Sequence, residues 1–332
     1  MITGVSYMGH HNPKHLATDL RAMRDLRLDD VFVCLQENDF VHFTGKVHFT
    51  PQIARDHGVR PLALFWGALN LFGGGRSSQF LLEHPECFQV RRDGAHWPAG
   101  CYVNPVALRR IQEMIDIVAQ AGYAGYFVDE PTPLRECYCR ACRTRFAEWY
   151  AGDLASAPAD QQEAFRQRCV VDYIKTVADY CKMNHPALET FCCLMPHDHA
   201  LWEATAQINS LDNLGTDIYW TNSDQDVEEM APIIDQMAAV TQQHKKTHHE
   251  WLECWRARRG REDRIRTQGE VIVRQQPDAL YVWAWEGQIG TSESCDDPAL
   301  AWAKACEVLR IAKENNPTTD NTNPDAVNLA LR

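Results

Sequence analysis

The stretch GYFVDEP, residues 125–131, is a short apolar run that ends in two carboxylates and a proline. A run of this kind, bounded by glycine and proline, is typical of a strand buried on both faces of a parallel sheet. Seven similar runs occur elsewhere in the chain and bring the number of predicted strands to eight. They are Ile2–Met8, Asp30–Gln36, Arg60–Gly67, Glu189–Pro196, Leu214–Trp220, Thr247–Glu253 and Ala279–Glu286.

Segments with apolar residues at three-to-four spacing, typical of helices, separate these runs. Eight strands alternating with helices predict a (β/α)8 barrel over residues 1–315, with a long loop insertion after the third strand and a polar tail at 316–332. An open doubly wound sheet is disfavoured because no glycine-rich turn follows the first strand. The predicted helices are His15–Leu26, Leu108–Ala121, Gln161–Cys181, Val227–Val240, Glu262–Gln275 and Pro298–Lys313.

Composition narrows the classes of partner. The 332 residues carry a formal net charge of −12, which argues against a nucleic-acid partner. There is no apolar run of about 20 residues to span a bilayer and no secretory signal. We therefore expect a cytoplasmic protein with no membrane partner, in which most of the 13 cysteines are small buried hydrophobes. A homo-oligomer is compatible with this composition.

Carboxylates and aromatic residues cluster at the carboxyl ends of the predicted strands, where barrel enzymes carry their chemistry. Sugars need both kinds of group, because carboxylates break the glycosidic bond and flat indole faces stack on sugar rings. The pattern predicts a small glycoside or oligosaccharide as substrate. The residues concerned are Glu37, Asp39, Trp66, Asp129, Glu130, Asp217, Tyr219, Trp220, Glu253, Trp283, Trp285 and Glu286.

Glu130 and Glu253 are the candidate catalytic pair, since the fourth and seventh strands lie roughly opposite each other in a closed barrel. Glycoside hydrolysis needs one protonated and one ionised carboxyl group on either side of the scissile bond. Glu286 is a rival for the second role and Asp217 a weaker one, while Asp129 is a candidate ligand for a sugar hydroxyl. The competing interpretation is that these acids lie in surface loops or form salt bridges.

A second chemical signal is the run CYCRAC, residues 137–142, which places three thiols within six residues. Thiolates at such spacing converge on a tetrahedral metal, and zinc is the usual one. Cys101 is the best candidate for the fourth ligand, and Cys87 and His96 are alternatives. A site with four protein thiolates is structural, because no coordination position is left for water. The three thiols of the run are Cys137, Cys139 and Cys142.

Histidines near the strand ends leave a third interpretation open, a metal-dependent hydrolase or lyase. No HExxH motif is present, so hydrogen bonds to substrate or packing in the core are the simpler roles for these residues. A non-catalytic carbohydrate-binding barrel is a further alternative. The histidines are His10, His11, His197, His199, His248 and His249.

From about residue 85 to 150, the sequence resembles the family 42 β-galactosidases of the glycoside hydrolases. PECFQVRRDG (85–94) resembles the stretch before that family's first zinc cysteine, and CYCRACRTRFAEWY (137–150) resembles its zinc-binding segment. The resemblance implies zinc on the four cysteines named above, Glu130 as acid/base, and Glu253, within WLE (251–253), as nucleophile. GTDIYW (215–220) resembles a strand of related barrels, in which a tyrosine at the position of Tyr219 contacts the nucleophile.

The chain departs from that family in two respects. Asp129 replaces the family's asparagine, which binds the sugar's 2-hydroxyl group, so a different or modified sugar is expected and β-galactosidase activity does not follow. The chain length predicts a barrel without the family's additional C-terminal domains. The pattern is nearer to uncharacterised bacterial barrel proteins that share the Asp-Glu-Pro and cysteine motifs.

Overall fold

The computed structural model describes residues 1–66, 78–131 and 136–314. Eight parallel strands close into a barrel in the order β1-β10-β9-β8-β7-β6-β3-β2, and β4 and β5 form a separate antiparallel hairpin. The predicted (β/α)8 barrel is therefore confirmed, and each of the eight predicted runs overlaps a barrel strand. The strands are β1 (Ile2–Tyr7), β2 (Asp30–Leu35), β3 (Arg60–Phe65), β4 (Phe88–Val90), β5 (His96–Gly100), β6 (Gly125–Val128), β7 (Glu189–Leu194), β8 (Asn213–Asp217), β9 (Thr247–Glu253) and β10 (Ala279–Trp283).

Helices surround the barrel, and local signals set their ends. Asn12 and Asn104 each cap a helix that begins with proline, and Gly122 ends the second of these in a left-handed conformation with φ 94°. Each of the six predicted helices is present, although bounds differ by a few residues. The helices are α1 (Pro13–Asp25), α2 (Glu37–Val41), α3 (Thr44–Asp56), α4 (Gln79–Glu83), α5 (Pro105–Ala121), α6 (Arg140–Tyr150), α7 (Ala159–Asn184), α8 (His199–Ala206), α9 (Met230–Gln243), α10 (Glu262–Gln275) and α11 (Pro298–Glu314).

Two hydrophobic layers hold this arrangement together. The larger one lies between the strands and the helices, and the smaller one fills the barrel interior. Strands buried on both faces read as continuous apolar runs, which is why the sequence revealed them. Gly215 allows β8 to approach β9 closely, since a Cβ there would lie 1.8 Å from the His249 carbonyl oxygen. The interior contains Phe32, Phe127, Phe191, Trp251 and Tyr281 among its large side chains.

The predicted insertion after β3 contains α4, a 3-10 turn at Pro85–Cys87 and the β4–β5 hairpin. Glu37, at the start of α2, accepts a hydrogen bond of 2.7 Å from the Phe80 amide and so ties α4 to the barrel. Residues 67–77, which belong to the long loop insertion predicted after the third strand, and the predicted polar tail lie outside the described residues. In the described ranges, helices are either too short or too polar to cross a membrane.

Candidate active site and metal centre

Glu130 lies just beyond the carboxyl end of β6, in an uncommon backbone conformation. Its φ is 38°, in the left-handed region that costs a residue with a Cβ atom about 1–2 kcal/mol. Pro131 follows it directly, and Asp129 precedes it. Strained residues of this kind concentrate at functional sites, where the surrounding structure holds them. Because of this backbone conformation, the direction of the Glu130 side chain does not follow the alternation of side chains along the strand.

Asp217, the last residue of β8, is 2% exposed, and both of its carboxyl oxygens are buried without a hydrogen bond of normal geometry. Burial raises the pKa of Asp217 well above its usual range. The neighbouring charges of Glu130 and Asp129 raise it further, and the nearby Cys193 thiol opposes them weakly. The fold therefore brings acids from the ends of β6 and β8 close enough for their charges to interact.

Tyr219 belongs to the same group of side chains. Burial raises the pKa of its phenol well above 10, and the charges of Asp217 and Glu130 add to the effect. We call Asp129, Glu130, Asp217 and Tyr219 the acidic cluster. Its members were all candidate site residues from the sequence, and the structure brings them together at one rim of the barrel.

Glu253 ends β9 and is 5% exposed. Its Oε2 accepts a 2.7 Å hydrogen bond from the Thr221 amide, and Gln268 of α10 donates to the Thr221 hydroxyl at 2.9 Å. Burial raises the pKa of Glu253, while the hydrogen bonds from Thr221 and the positive charge of Arg264 act in the opposite direction. This carboxyl group thus has a backbone donor that favours its ionised form, although burial has the larger effect and the pKa is raised overall.

A cavity of about 630 Å³ opens at the ends of β1, β2, β3, β9 and β10. Trp66 and Trp255 line it, and the Trp283 ring lies 6.0 Å from the first and 6.4 Å from the second, between ring centroids. The Arg256 guanidinium lies 4.5 Å from the Trp255 ring centroid and also pairs with Glu293. The cavity thus offers flat apolar faces beside polar groups. Trp255 was missed in the sequence, because it follows the strand end by two residues.

Lys46 is a second residue of the cavity wall that the sequence did not reveal. Its side chain is 4% exposed and pairs with Asp39 at 3.1 Å. The ammonium also donates to the carbonyl oxygens of Met8 at 2.7 Å and Cys34 at 3.2 Å. Lys46 lies on α3, a helix that was not predicted, so nothing in the strand pattern pointed to it. Asp39 was a candidate site residue from the sequence, and its carboxylate pairs with this buried ammonium group.

Of the candidate residues predicted from the sequence, Asp39 and Trp66 line this cavity, and four others make their contacts elsewhere among the described residues. Trp220 packs in the layer between strands and helices, and Trp285 packs on Trp302 of α11 at 4.8 Å between centroids. Glu286 is exposed, and its pKa is raised by partial burial and by the charge of Asp19. The fourth is Glu37, whose carboxylate caps the Phe80 amide as described above.

The histidines do not form a metal site within the described ranges, where the cysteine cluster is the one group of at least three metal-binding side chains. His249 is fully buried in the barrel interior, and burial lowers its pKa to about 3. His248 pairs with the buried Glu250 at 2.7 Å. His197 is 72% exposed. The geometry thus does not support the metal-dependent hydrolase considered from the sequence.

The four predicted cysteines, Cys101, Cys137, Cys139 and Cys142, are buried and their sulfur atoms lie within 4.8 Å of one another. The Cys101 sulfur lies 3.4 Å from that of Cys142 and 3.6 Å from that of Cys139. A tetrahedral zinc with Zn–S bonds of about 2.3 Å needs sulfur atoms about 3.8 Å apart, so the arrangement fits such an ion. The four side chains can therefore hold a metal.

This cysteine cluster joins the insertion to the segment after β6. The Cys101 amide bonds to the Cys87 carbonyl at 2.8 Å, and the Tyr138 amide bonds to the Val90 carbonyl of the hairpin at 2.7 Å. Of the two alternative fourth ligands, Cys87 lies near Asn104, at 3.7 Å, and His96 is exposed and stacks on Phe88. The choice of Cys101 agrees with the geometry.

No family model matches the chain, and no curated protein matches its sequence. Solved structures do match its fold. A β-galactosidase from the Antarctic haloarchaeon Halorubrum lacusprofundi superposes with a TM-score of 0.74 at 16% identity, over 94% of this chain and 58% of that one. The catalytic mutant of Gan42B, a family 42 β-galactosidase from G. stearothermophilus, has a TM-score of 0.70 at 14% identity, over 95% and 56%.

The fold is shared more widely among glycoside hydrolases. An endo-β-1,4-mannanase from Thermotoga petrophila matches with a TM-score of 0.60 at 9% identity, over 96% of this chain and 78% of that one. The chain spans a little over half the length of the β-galactosidases described above. The protein is thus a (β/α)8 barrel whose fold is similar to that of these β-galactosidases and of the mannanase.

Proposed function

We propose that this protein is a retaining, exo-acting glycoside hydrolase of small glycosides or oligosaccharides in the cytoplasm. The observation that carries the proposal is the arrangement of carboxyl groups at one rim of the barrel. Glu130, Asp217 and Glu253 follow or end three of the strands, and the ring of Tyr219 in the acidic cluster lies 6.2 Å, between centroids, from that of Trp255, which lines the cavity with Trp66. Carboxyl groups beside flat apolar faces are what cleavage of a sugar acetal requires.

In this proposal Glu130 is the acid/base residue and Glu253 the nucleophile. Glu130 gives its proton to the leaving oxygen, and the electron pair of the broken bond stays on that oxygen. A Glu253 oxygen forms the new bond to the anomeric carbon, and water later displaces it while Glu130 takes the water's proton. The Thr221 amide that bonds to Glu253 favours the ionised form that such an attack needs. A retaining mechanism requires the two carboxyl groups to be about 5–5.5 Å apart.

We further propose that the cysteine cluster holds zinc, with a structural role. Four thiolates complete the tetrahedron, so the ion would stabilise the loops on either side of it and supply no reacting group. Cys137 follows Glu130 by a few residues in the chain. A bound ion would thereby anchor the segment that carries the acid/base residue.

The test is turnover across a panel of aryl glycosides by the wild type, Glu130→Gln and Glu253→Gln. Glu229→Gln is the matched control, because Glu229 is exposed. One glycoside should be cleaved, and each active-site variant should lose at least about a hundredfold in turnover, the size expected when acid/base or nucleophilic catalysis is removed. Equal zinc content in all four proteins excludes an indirect effect.

Failure to cleave any member of the panel would contradict the proposal in its present form. Binding of the same sugars without turnover would then favour a carbohydrate-binding barrel. The observation that favours this second candidate is Asp129, which stands where the family that the sequence resembles has asparagine. Products with inverted anomeric configuration would contradict the retaining mechanism alone.

A further inference from the structure

Asp39, in the wall of the cavity, has only one of its two carboxylate oxygens bound. The residue is 4% exposed, and its Oδ2 accepts hydrogen bonds from the Gln36 amide at 2.8 Å and from the Lys46 ammonium at 3.1 Å. Its Oδ1 accepts no hydrogen bond from the described residues, and the His11 Nδ1 atom that faces it lies 3.9 Å away, beyond hydrogen-bonding distance. Because an unsatisfied carboxylate oxygen is costly when buried, Oδ1 is an acceptor for a group inside the cavity.

Lys46 fixes the direction of this free oxygen. An ammonium group has three hydrogens to donate. Those of Lys46 have three acceptors, which are Asp39 and the carbonyl oxygens of Met8 at 2.7 Å and Cys34 at 3.2 Å. The lysine therefore has no donor left for a ligand. Its bond to Oδ2, together with that from the Gln36 amide, holds the carboxylate so that Oδ1 is the atom available to the cavity.

The imidazole of His11 forms the other side of the gap. Its ring also lines the cavity and stacks on Phe43 at 4.1 Å between centroids. Burial and the charge of Lys46 lower the pKa of His11, so the ring is neutral at neutral pH and carries one N–H group. An oxygen atom about 2.8 Å from both Asp39 Oδ1 and His11 Nδ1 fits between two atoms that are 3.9 Å apart.

We infer that a sugar hydroxyl group bridges Asp39 Oδ1 and His11 Nδ1, and that this subsite selects neutral sugars. The hydroxyl donates its hydrogen to the carboxylate and accepts the N–H of the imidazole. A charged amine can only donate and a carboxylate can only accept, so neither satisfies both atoms. The inference rests on the proposed function for the identity of the ligand as a sugar.

The charges of the cavity wall support the selection of neutral sugars. Lys46 is used by the protein, and Arg256 pairs with Glu293. Neither of these two cations is therefore free to bind the carboxylate of an acidic sugar. Asp39 would repel that carboxylate, because like charges placed side by side are unfavourable.

The test measures binding and does not depend on turnover. The full-length protein is titrated calorimetrically with the methyl β-glycosides of galactose, glucose, mannose and glucuronic acid, and then with monodeoxy analogues of the neutral glycoside that binds best. In the wild type, loss of one particular hydroxyl should weaken binding by about ten- to a hundredfold, the size expected for a hydrogen bond to a charged group. The glucuronide should bind at least about tenfold more weakly than the best neutral glycoside.

Two variants identify the partners of that hydroxyl. His11→Phe keeps an aromatic ring on Phe43, and the double variant Lys46→Met/Asp39→Leu leaves no buried charge unpaired. In each, removal of the same hydroxyl should cost less than about threefold, because its partner is already gone, while the other deoxy analogues lose as much affinity as in the wild type. His48→Phe, at an exposed position of α3, is the control and should keep the full loss.

The inference would be overturned if none of the neutral glycosides binds, or if no single hydroxyl matters in the wild type. An equal loss for that hydroxyl in the wild type and in both variants would also overturn it. A glucuronide that binds as tightly as the best neutral glycoside would overturn the selection of neutral sugars. The expected binding pattern in a protein that cleaves none of the aryl glycosides would support the subsite and count against the proposed hydrolysis alone.

Discussion

The cysteine cluster and the acidic cluster solve the same problem in different ways. Each collects several acidic side chains in a buried place, and each therefore needs a positive charge. The four sulfur atoms lie within 4.8 Å of one another and fit a metal ion, whereas the carboxyl groups of the acidic cluster come from different strand ends, and the buried Asp217 has no hydrogen-bond partner among the described residues. The cysteine cluster can neutralise its charge with a bound structural ion that fills all four coordination positions. The acidic cluster can exchange protons and leaves room for a ligand.

The largest expected effect is the removal of metal from the cysteine cluster. Cys137→Ser should lose zinc and lower the Tm by at least about 10 °C, because structural zinc contributes directly to folding free energy. Cys306→Ser, at another buried cysteine, is the matched control. Metal analysis and thermal unfolding of the two proteins provide the check. A variant that lacks zinc but has the Tm of the wild type would show that the metal does not stabilise the fold. The contrast drawn between the two clusters would then be wrong.

Lys46→Met should destabilise the protein by about 3–5 kcal/mol, because it leaves the buried Asp39 carboxylate without its cation. The double variant Lys46→Met/Asp39→Asn should recover part of that loss, since the charge itself is gone. Urea unfolding of both proteins measures the difference. Equal losses in the two variants would show that packing of the lysine stem, and not charge, is what matters at this side of the cavity.

Asp217→Asn should stabilise the protein at alkaline pH. Because the folded pKa of Asp217 is raised, the protonated acid is favoured by the fold, and its stabilising contribution is lost as pH rises through that pKa. The Tm of Asp217→Asn should therefore exceed that of the wild type by a few degrees at about pH 8 and match it near pH 4. Melting curves across this interval are the measurement. A difference that is constant with pH would mean that the pKa of Asp217 is the same in the folded and unfolded states.

The smallest effect is expected at the aromatic wall of the cavity. Trp255→Ala should weaken binding of the sugar product by about two- to tenfold, the value of one aromatic contact. Trp97→Ala, at a partly exposed tryptophan of the hairpin, is the control. Calorimetric titration measures the affinity of the two variants for the sugar and tests whether this wall of the cavity contacts the ligand. Unchanged affinity in Trp255→Ala would move the sugar site away from this wall.

Prediction from sequence succeeded where signals are local. The β9 strand was predicted with its observed bounds, and the other seven were found with ends that ran too far. Trp220 and Trp285 illustrate the consequence of those ends. Once the chain leaves a strand, alternation no longer sets the direction of side chains, so their predicted place at the sugar site has no support in the contacts. The short helix α2 and the proline-containing α3 were missed because their apolar spacing is weak.

By itself, the sequence determined the barrel and most of the cysteine cluster, because both depend on short-range patterns. Apolar runs and helical spacing specify alternating strands and helices. Thiols within one short segment lie close together independently of the tertiary fold. Only the tertiary structure decided that Asp217 is buried without a hydrogen-bond partner among the described residues, that Lys46 is buried against Asp39, and that Trp255 lines the cavity. Closure of the barrel sets which strand ends are neighbours, and burial then sets the charge of the groups found there.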